Sequence, residues 1–263
     1  MKFRIGKNAM IPSLPTLPAR NFHRPVICVC YTLYFQRKNG SVMAQPLHIF
    51  DLDNTLIDGD SSTYWSHYLV REGLVEDPDY LAQEAAQMDD YAHGRMDIHR
   101  YVALTLSPLA ALSVAETDRR VAQWVESDIL PRVYPQAWDL LAALRAQQRP
   151  TLIISASVSL LVKPIARALG IDDAIGIDVA IAGEHYSNRI SGTPSYQQGK
   201  ITRYHAWREQ QAIAPTSTVF YTDSINDLPL CQVADEVVLV NPCSPLRAEG
   251  EKRQWPTLRW SLA

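Results

Sequence analysis

Leu47-His48-Ile49-Phe50-Asp51-Leu52-Asp53-Asn54-Thr55-Leu56 opens with a short apolar run and passes abruptly into two carboxylates one residue apart. An apolar run of this length, closed by polar residues, reads as a buried strand of a parallel sheet. Ligands of open α/β sheets bind just beyond the carboxyl ends of the strands, so Asp51 and Asp53 are expected at the mouth of a site. Side chains alternate along an extended chain, which sends both carboxylates to the same side if the strand geometry persists. Two acids held that close repel, and a shared proton or a bound cation relieves the repulsion. The plain alternative is a loop that happens to be acidic.

Working outward, the chain has 263 residues, enough for one large domain or a domain plus a smaller one. Its 47% hydrophobic content is ordinary for a soluble globular protein. The net charge of -3 hides an asymmetry, since residues 1–45 hold seven Lys or Arg and no acid. The remainder carries 18 basic and 28 acidic residues, which offers no footprint for nucleic acid over the main body. A small phosphate-bearing substrate would need local positive charge, from a metal or a placed lysine. Cys28, Cys30, Cys231 and Cys243 show neither zinc-site nor disulfide-framework spacing, which points to a reducing, cytoplasmic setting. Residues 1–42 read as a poorly ordered upstream extension before a natural start at Met43. The apolar stretch Pro25 to Phe35, 11 residues long, is too short to span a bilayer, and a membrane anchor is the sharper alternative.

From about Asp60 to Leu130 the pattern is helical. Tyr64, Trp65, Tyr68 and Leu69 form one stripe, and Ser113-Val-Ala-Glu116 is a capping box ahead of Val121, Trp124, Val125 and Ile129. Three or four helices and no strand are expected here. Pro135 starts a further helix with Ala137, Trp138, Leu141 and Leu144 inward. Thr151 to Ile154 reads as a second strand, closed by Ser155-Ala-Ser157 and followed by a helix that stops at Gly170. Ile175 to Ile181 and Tyr186 to Ile190 suggest a hairpin. Gly199-Lys200 opens a helix, Thr218 to Tyr221 is a third strand ending at Thr222-Asp223-Ser-Ile-Asn-Asp227, and Val237 to Val240 is another. Strands alternating with helices predict an α/β protein with a Rossmann-like, doubly wound parallel sheet and an all-helical cap inserted after the first strand. The catalytic core is then 43–60 and 131–263, and the cap 61–130.

In such a sheet, Asp51/Asp53/Thr55, Ser155/Ser157 and Asp223/Asn226/Asp227 converge on one crevice, with Lys200 opening a helix between the last two. Three carboxylates can hold a hard cation through oxygen, and octahedral Mg2+ suits a site that must also admit a phosphate oxygen. The order D-x-D-x-T, strand-Ser, Lys, D-x-x-x-D resembles the haloacid dehalogenase superfamily of phosphohydrolases. The resemblance runs from about Leu47 to Trp260. The helical insertion resembles the branch containing phosphoserine phosphatases. Phe50-Asp-Leu-Asp-Asn-Thr-Leu56, Tyr221-Thr-Asp-Ser-Ile-Asn-Asp-Leu-Pro-Leu230 and Asn241-Pro242…Leu246-Arg-Ala-Glu249 are also similar to bacterial histidinol-phosphatases of that branch.

The resemblance implies a phosphomonoesterase for a small metabolite such as histidinol phosphate or phosphoserine. It implies Asp51 as nucleophile forming an aspartyl-phosphate and Asp53 as general acid and base. Mg2+ would be bound by Asp51, the backbone carbonyl of Asp53, and Asp223. Phosphate contacts would come from Thr55, Ser155 and Lys200, with Asp227 holding Lys200 or a water on the metal and Asn226 assisting. Asp60 stands where phosphoserine phosphatases place a Glu that reads the substrate ammonium, and it is equally an ordinary helix N-cap. The family's fourth motif often has Gly on both sides of its first Asp; here Thr222 and Ser224 stand there, and Thr222 is expected to tighten the turn. His48 is expected to be a packed core histidine, and His67, His93 and His99 to lie on the cap surface. The rival functions are a non-catalytic phosphate sensor, a phosphotransferase of the same fold, and a phospho-accepting receiver domain, whose chain would be about half this length.

Overall fold

The computed structural model describes residues 45–211, 215 and 217–262. The expectations for residues 1–42, and for Cys28 and Cys30, lie outside these. β1 (Leu47–Phe50) is followed by four helices with no strand among them: α1 (Ser61–Arg71), α2 (Tyr80–Ala92), α3 (Ile98–Leu106) and α4 (Val114–Trp124). α4 widens into a π-helical turn at Val125–Ile129. Next come α5 (Pro135–Ala146), β2 (Thr151–Val158), α6 (Ser159–Leu169) and β3 (Asp173–Ile177). A hairpin, β4 (Val179–Ala182) and β5 (His185–Ile190), precedes α7 (Gln198–Glu209) and β6 (Thr218–Thr222). The short α8 (Leu228–Cys231), β7 (Glu236–Val240), α9 (Ser244–Arg253) and β8 (Thr257–Leu258) complete the described chain.

Six strands form one sheet in the order β3-β2-β1-β6-β7-β8, and every pairing is parallel. β1 lies at its middle, with Phe50 opposite both Ile153 and Tyr221. Both faces are covered, which is why the strands read as unbroken apolar runs. Leu47, Ile49, Leu152, Ile154, Phe220 and Leu239 pack on one face. Phe50, Ile153, Val219, Tyr221 and Val240 pack on the other, continuous with the buried residues of α1, α3 and α4. The Phe50 and Tyr221 rings stack at 4.6 Å between centroids. Within the helical segment Trp65 stacks on Tyr68 and meets Trp124 edge-on at 5.2 Å. His48 stacks against Tyr221 at 5.9 Å and bonds its hydroxyl through Nδ1. Burial, and then the Arg149 charge, lower its pKa to about 4.

Several details differ from the sequence reading. β2 runs through Ser155 and Ser157 to Val158 instead of ending at Ile154, because both hydroxyls find partners from within the strand. The run Ile175 to Ile181 is two strands: β3 joins the parallel sheet beside β2, and only β4 pairs with β5. Trp138 is 37% exposed, while Ala137, Leu141 and Leu144 make the inward stripe one position away. Half of the capping box forms: Ser113 Oγ accepts the Glu116 amide, and the Glu116 carboxylate turns outward to Arg119 and Arg120. Among the described residues no single helix is long and apolar enough to cross a membrane.

Candidate active site

The sheet order reverses direction at β1, with β2 and β3 to one side and β6, β7 and β8 to the other. That is the switch point at which a crevice opens beyond the strand ends. Asp51 directly follows β1, and its amide donates to the Tyr221 carbonyl at 2.9 Å. Asp223 directly follows β6, and Thr55 Oγ1 donates to its Oδ1 at 3.1 Å. Lys200 enters from α7, only 1% exposed, with Nζ 3.0 Å from Asp51 Oδ1 and 2.6 Å from Asp227 Oδ1. α7 can start this close because residue 199 is Gly; a Cβ there would collide with the Pro194 carbonyl. Thr222 does tighten the turn after β6: its hydroxyl donates to Asp227 Oδ2 at 2.8 Å and accepts the Ser224 amide.

Asp53 meets different partners. The Ser61 amide donates to its Oδ1 at 2.6 Å, and the Ser157 and Ser155 hydroxyls to its Oδ2 at 2.9 and 3.4 Å. Ser61 is the first residue of α1, so this carboxylate sits at the positive end of a helix. Immediately after the two acids the chain turns at Asn54, whose φ is 54°, with the Leu56 amide returning to the Leu52 carbonyl. Asp60 caps the same helix, accepting the Thr63 amide at 2.9 Å, so the N-cap reading holds. The structure thus brings Asp51, Asp53, Thr55, Ser155, Lys200, Asp223, Asn226 and Asp227 together, with Asp60 one helix cap away.

Sequence reasoning placed Ser157 in the crevice without a role, and it missed three neighbours, Ser61, Glu84 and Tyr91. Ser157 is the nearer serine to Asp53, and its i+2 spacing from Ser155 in an extended strand was the available signal. Ser61 contributes its backbone. Glu84 of α2 is buried and accepts the Thr63 hydroxyl at 2.6 Å, close enough to Asp60 for the two charges to interact. Tyr91, at the end of α2, feels the charges of Asp51, Asp227 and Asp223. Nothing in the local sequence marks Glu84 or Tyr91.

Electrostatics decide what the crevice can hold. Burial pushes Asp53 up, against the bonds from Ser61 and Ser157. Burial and the Asp227 carboxylate push Asp223 up to about 8, against the Thr55 hydrogen bond. Burial raises Asp51 as well, and the surrounding acids add to it while Lys200 opposes. Burial works against the Lys200 charge, yet Asp227 and Asp51 outweigh it and hold its pKa above the ordinary value. Four carboxylates therefore share one buried ammonium, a deficit of positive charge that a divalent cation would fill. Among the described residues no three Asp, Glu, His or Cys side chains already enclose a metal position.

A profile of the haloacid dehalogenase-like hydrolases matches residues 49–232. The chain belongs to that family. A histidinol-phosphatase of Neisseria meningitidis is 35% identical over 218 residues, 81% of this chain and 98% of that one. A Bordetella pertussis protein of unknown function, known as a crystal structure, superposes with a TM-score of 0.75 at 30% identity, covering 84% of this chain and 100% of its own. A phospho-aspartyl intermediate analogue of phosphoserine phosphatase shares the fold, with a TM-score of 0.56 at 16% identity over 78% of this chain and 90% of that one. For this haloacid dehalogenase-like hydrolase, the expected fold class and the expected enzyme class, a phosphatase, agree with those relatives.

Proposed function

We propose that this hydrolase is a Mg2+-dependent phosphomonoesterase of a small ammonium-bearing metabolite, with histidinol phosphate the leading substrate and phosphoserine the second. The observation that carries the reading is the buried Lys200 ammonium shared by Asp51 and Asp227. An anionic nucleophile approaches a dianionic phosphate ester only where positive charge screens both. Lys200 is placed to do that, with Asp227 holding it and Thr55 and Ser155 within the same crevice to meet phosphate oxygens. Mg2+, held by Asp51, Asp223 and the main-chain carbonyl of Asp53, would supply further positive charge beside the phosphate. The Asp51 carboxylate attacks phosphorus, an O–P bond forms as the ester P–O bond breaks, and Asp53 gives its proton to the departing alkoxide. Asp53 then takes a proton from water, which attacks the aspartyl-phosphate and returns Asp51 to its starting form.

The substrate preference rests on the cap side. Asp60 and Glu84 are acids that burial raises, Asp60 further through Asp53 and Glu84. A substrate ammonium or imidazolium would relieve that wall, whereas the phosphoserine carboxylate would meet it with like charge. The 35% identity to a histidinol-phosphatase supports the same order. A cytoplasmic location belongs to this proposal, in keeping with the unpaired thiols of Cys231 and Cys243.

The test is phosphate release over a panel of phosphorylated metabolites. Histidinol phosphate should give the highest kcat/KM, and Asp51→Asn should be inactive with an unchanged circular dichroism spectrum. A wild-type enzyme that binds phosphate esters without turnover, or passes the phosphoryl group to another acceptor faster than to water, would reject the hydrolase reading.

A further inference from the structure

Gln197, three residues before Lys200, has φ 48° and ψ −120°. The positive φ already disfavours a side chain, and this ψ lies far outside the left-handed helical well that other residues occasionally use. Such a backbone persists only where its surroundings hold it, and strain of this kind gathers at sites where the geometry is used. Here the side-chain amide Nε2 reaches three acceptors: the Gly94 carbonyl at 3.1 Å, the Tyr196 hydroxyl at 3.0 Å and Asn226 Oδ1 at 3.3 Å. Gly94 lies just past the end of α2, in the helical segment over the site. Asn226 lies three residues after Asp223.

The same turn is gripped from a second side. Asn226 Nδ2 donates to the Tyr91 carbonyl at 2.8 Å, and the Tyr91 and Tyr196 rings lie 5.9 Å apart. Contact is close enough that a Cβ on Gly94 would stand 3.3 Å from Asn226 Oδ1 and 3.7 Å from Gln197 Nε2. Gln197 is also tied to the catalytic lysine through the backbone, since its carbonyl accepts the Lys200 amide at 3.0 Å. One strained residue therefore touches the cap turn, the loop after β6 and the first turn of α7.

We propose that Gln197 is a positioning residue that clamps the cap turn Tyr91–Gly94 onto the two loops presenting Lys200 and Asp223. The backbone strain is what aims its amide across the seam. With the clamp made, the crevice is covered and substrate is retained; with it broken, the cap turn keeps only the Asn226 and Tyr91 contacts. The kinetic consequence rests on the phosphatase reading above, whereas the consequence for cap exposure does not.

Gln197→Gly separates clamping from folding, because glycine adopts this backbone freely and removes only the amide. Melting temperature should stay equal or rise. KM for the preferred metabolite should increase about 3- to 10-fold, the worth of one lost hydrogen bond, with kcat at saturation nearly unchanged. Hydrogen exchange over residues 91–95 should quicken while the sheet stays protected. Gln197→Glu, which sets a carboxylate against the Gly94 carbonyl and Asn226 Oδ1, should quicken the same segment. A wild-type KM and wild-type exchange in Gln197→Gly would overturn the clamp. So would a fall in melting temperature in step with kcat/KM, the mark of a merely structural residue. If the wild type releases no phosphate from any substrate, the function fails and the exchange comparison still decides the clamp.

Discussion

Asp51 and Asp53 are chemically identical and two positions apart, yet their surroundings divide the work. Asp51 faces Lys200, whose charge opposes the rise that burial and the neighbouring acids impose on its carboxyl, as the proposed nucleophile requires. Asp53 faces two serine hydroxyls and one amide, and burial raises its pKa, which favours the protonated form an acid catalyst needs. Asp53→Asn keeps the shape and loses the proton. An alkyl phosphate has a poor leaving group and depends on that proton, while p-nitrophenyl phosphate hardly does. The substitution should slow the first step for the metabolite by about 10²-fold or more relative to the aryl ester. The aryl ester should then show a burst followed by slow turnover, because in the proposed mechanism hydrolysis of the aspartyl-phosphate also uses Asp53 as base. Equal losses in the burst rates of both substrates would remove Asp53 from the role of acid.

β2 and β3 support that division of labour from behind. Their pairing shifts register between Ile154 and Val158, across the stretch that carries Ser155 and Ser157. The two strands come so close there that a Cβ on Gly176 would stand 2.8 Å from the Ser157 carbonyl oxygen and 2.9 Å from Ser159 backbone atoms. Backbone cannot swing aside as a side chain can, so Gly176→Ala must push β3 off β2 and carry Ser157 away from Asp53. A loss of about 2 kcal/mol is expected from such overpacking, read as a lower urea midpoint at unchanged m-value. Reduced phosphate release should accompany it. An unchanged midpoint would mean that the strands part without cost. The sequence announced β2 by its apolar start but not its length, because a serine in a strand looks like a terminator until its bonding partner is known. Trp138 cannot face inward together with Ala137, Leu141 and Leu144, because that buried stripe decides which way α5 faces.

At the scale of the molecule, the crevice joins loops from β1, β6 and α7 around an excess of negative charge. Mg2+ binding only to the folded arrangement should therefore tie these loops together and stabilise the whole chain. Exhaustive EDTA treatment should lower the melting temperature and end phosphate release. Mg2+ should restore both, and Ca2+ should restore activity poorly because its larger, looser shell does not hold the in-line geometry. Asp223→Ala should raise the Mg2+ concentration needed or prevent activity. Full activity after chelation, with no change in melting temperature on adding Mg2+, would exclude the metal.

The sequence alone determined that this is a parallel sheet with polar clusters at its strand ends. Strands covered on both faces must be apolar throughout, so the first acids mark where they stop. It also located the residues that the crevice gathers, since the order of strands and helices leaves few topologies for their ends to meet. Only the tertiary structure decided how those residues are shared. Lys200 and Asp51 are 149 positions apart, and Ser157 and Asp53 are 104 apart. No local pattern encodes which acid receives the ammonium and which the hydroxyls. Glu84 and Gln197 stayed hidden for the same reason. Each is an ordinary polar residue in its own segment, and it gains chemistry only from what the fold packs against it.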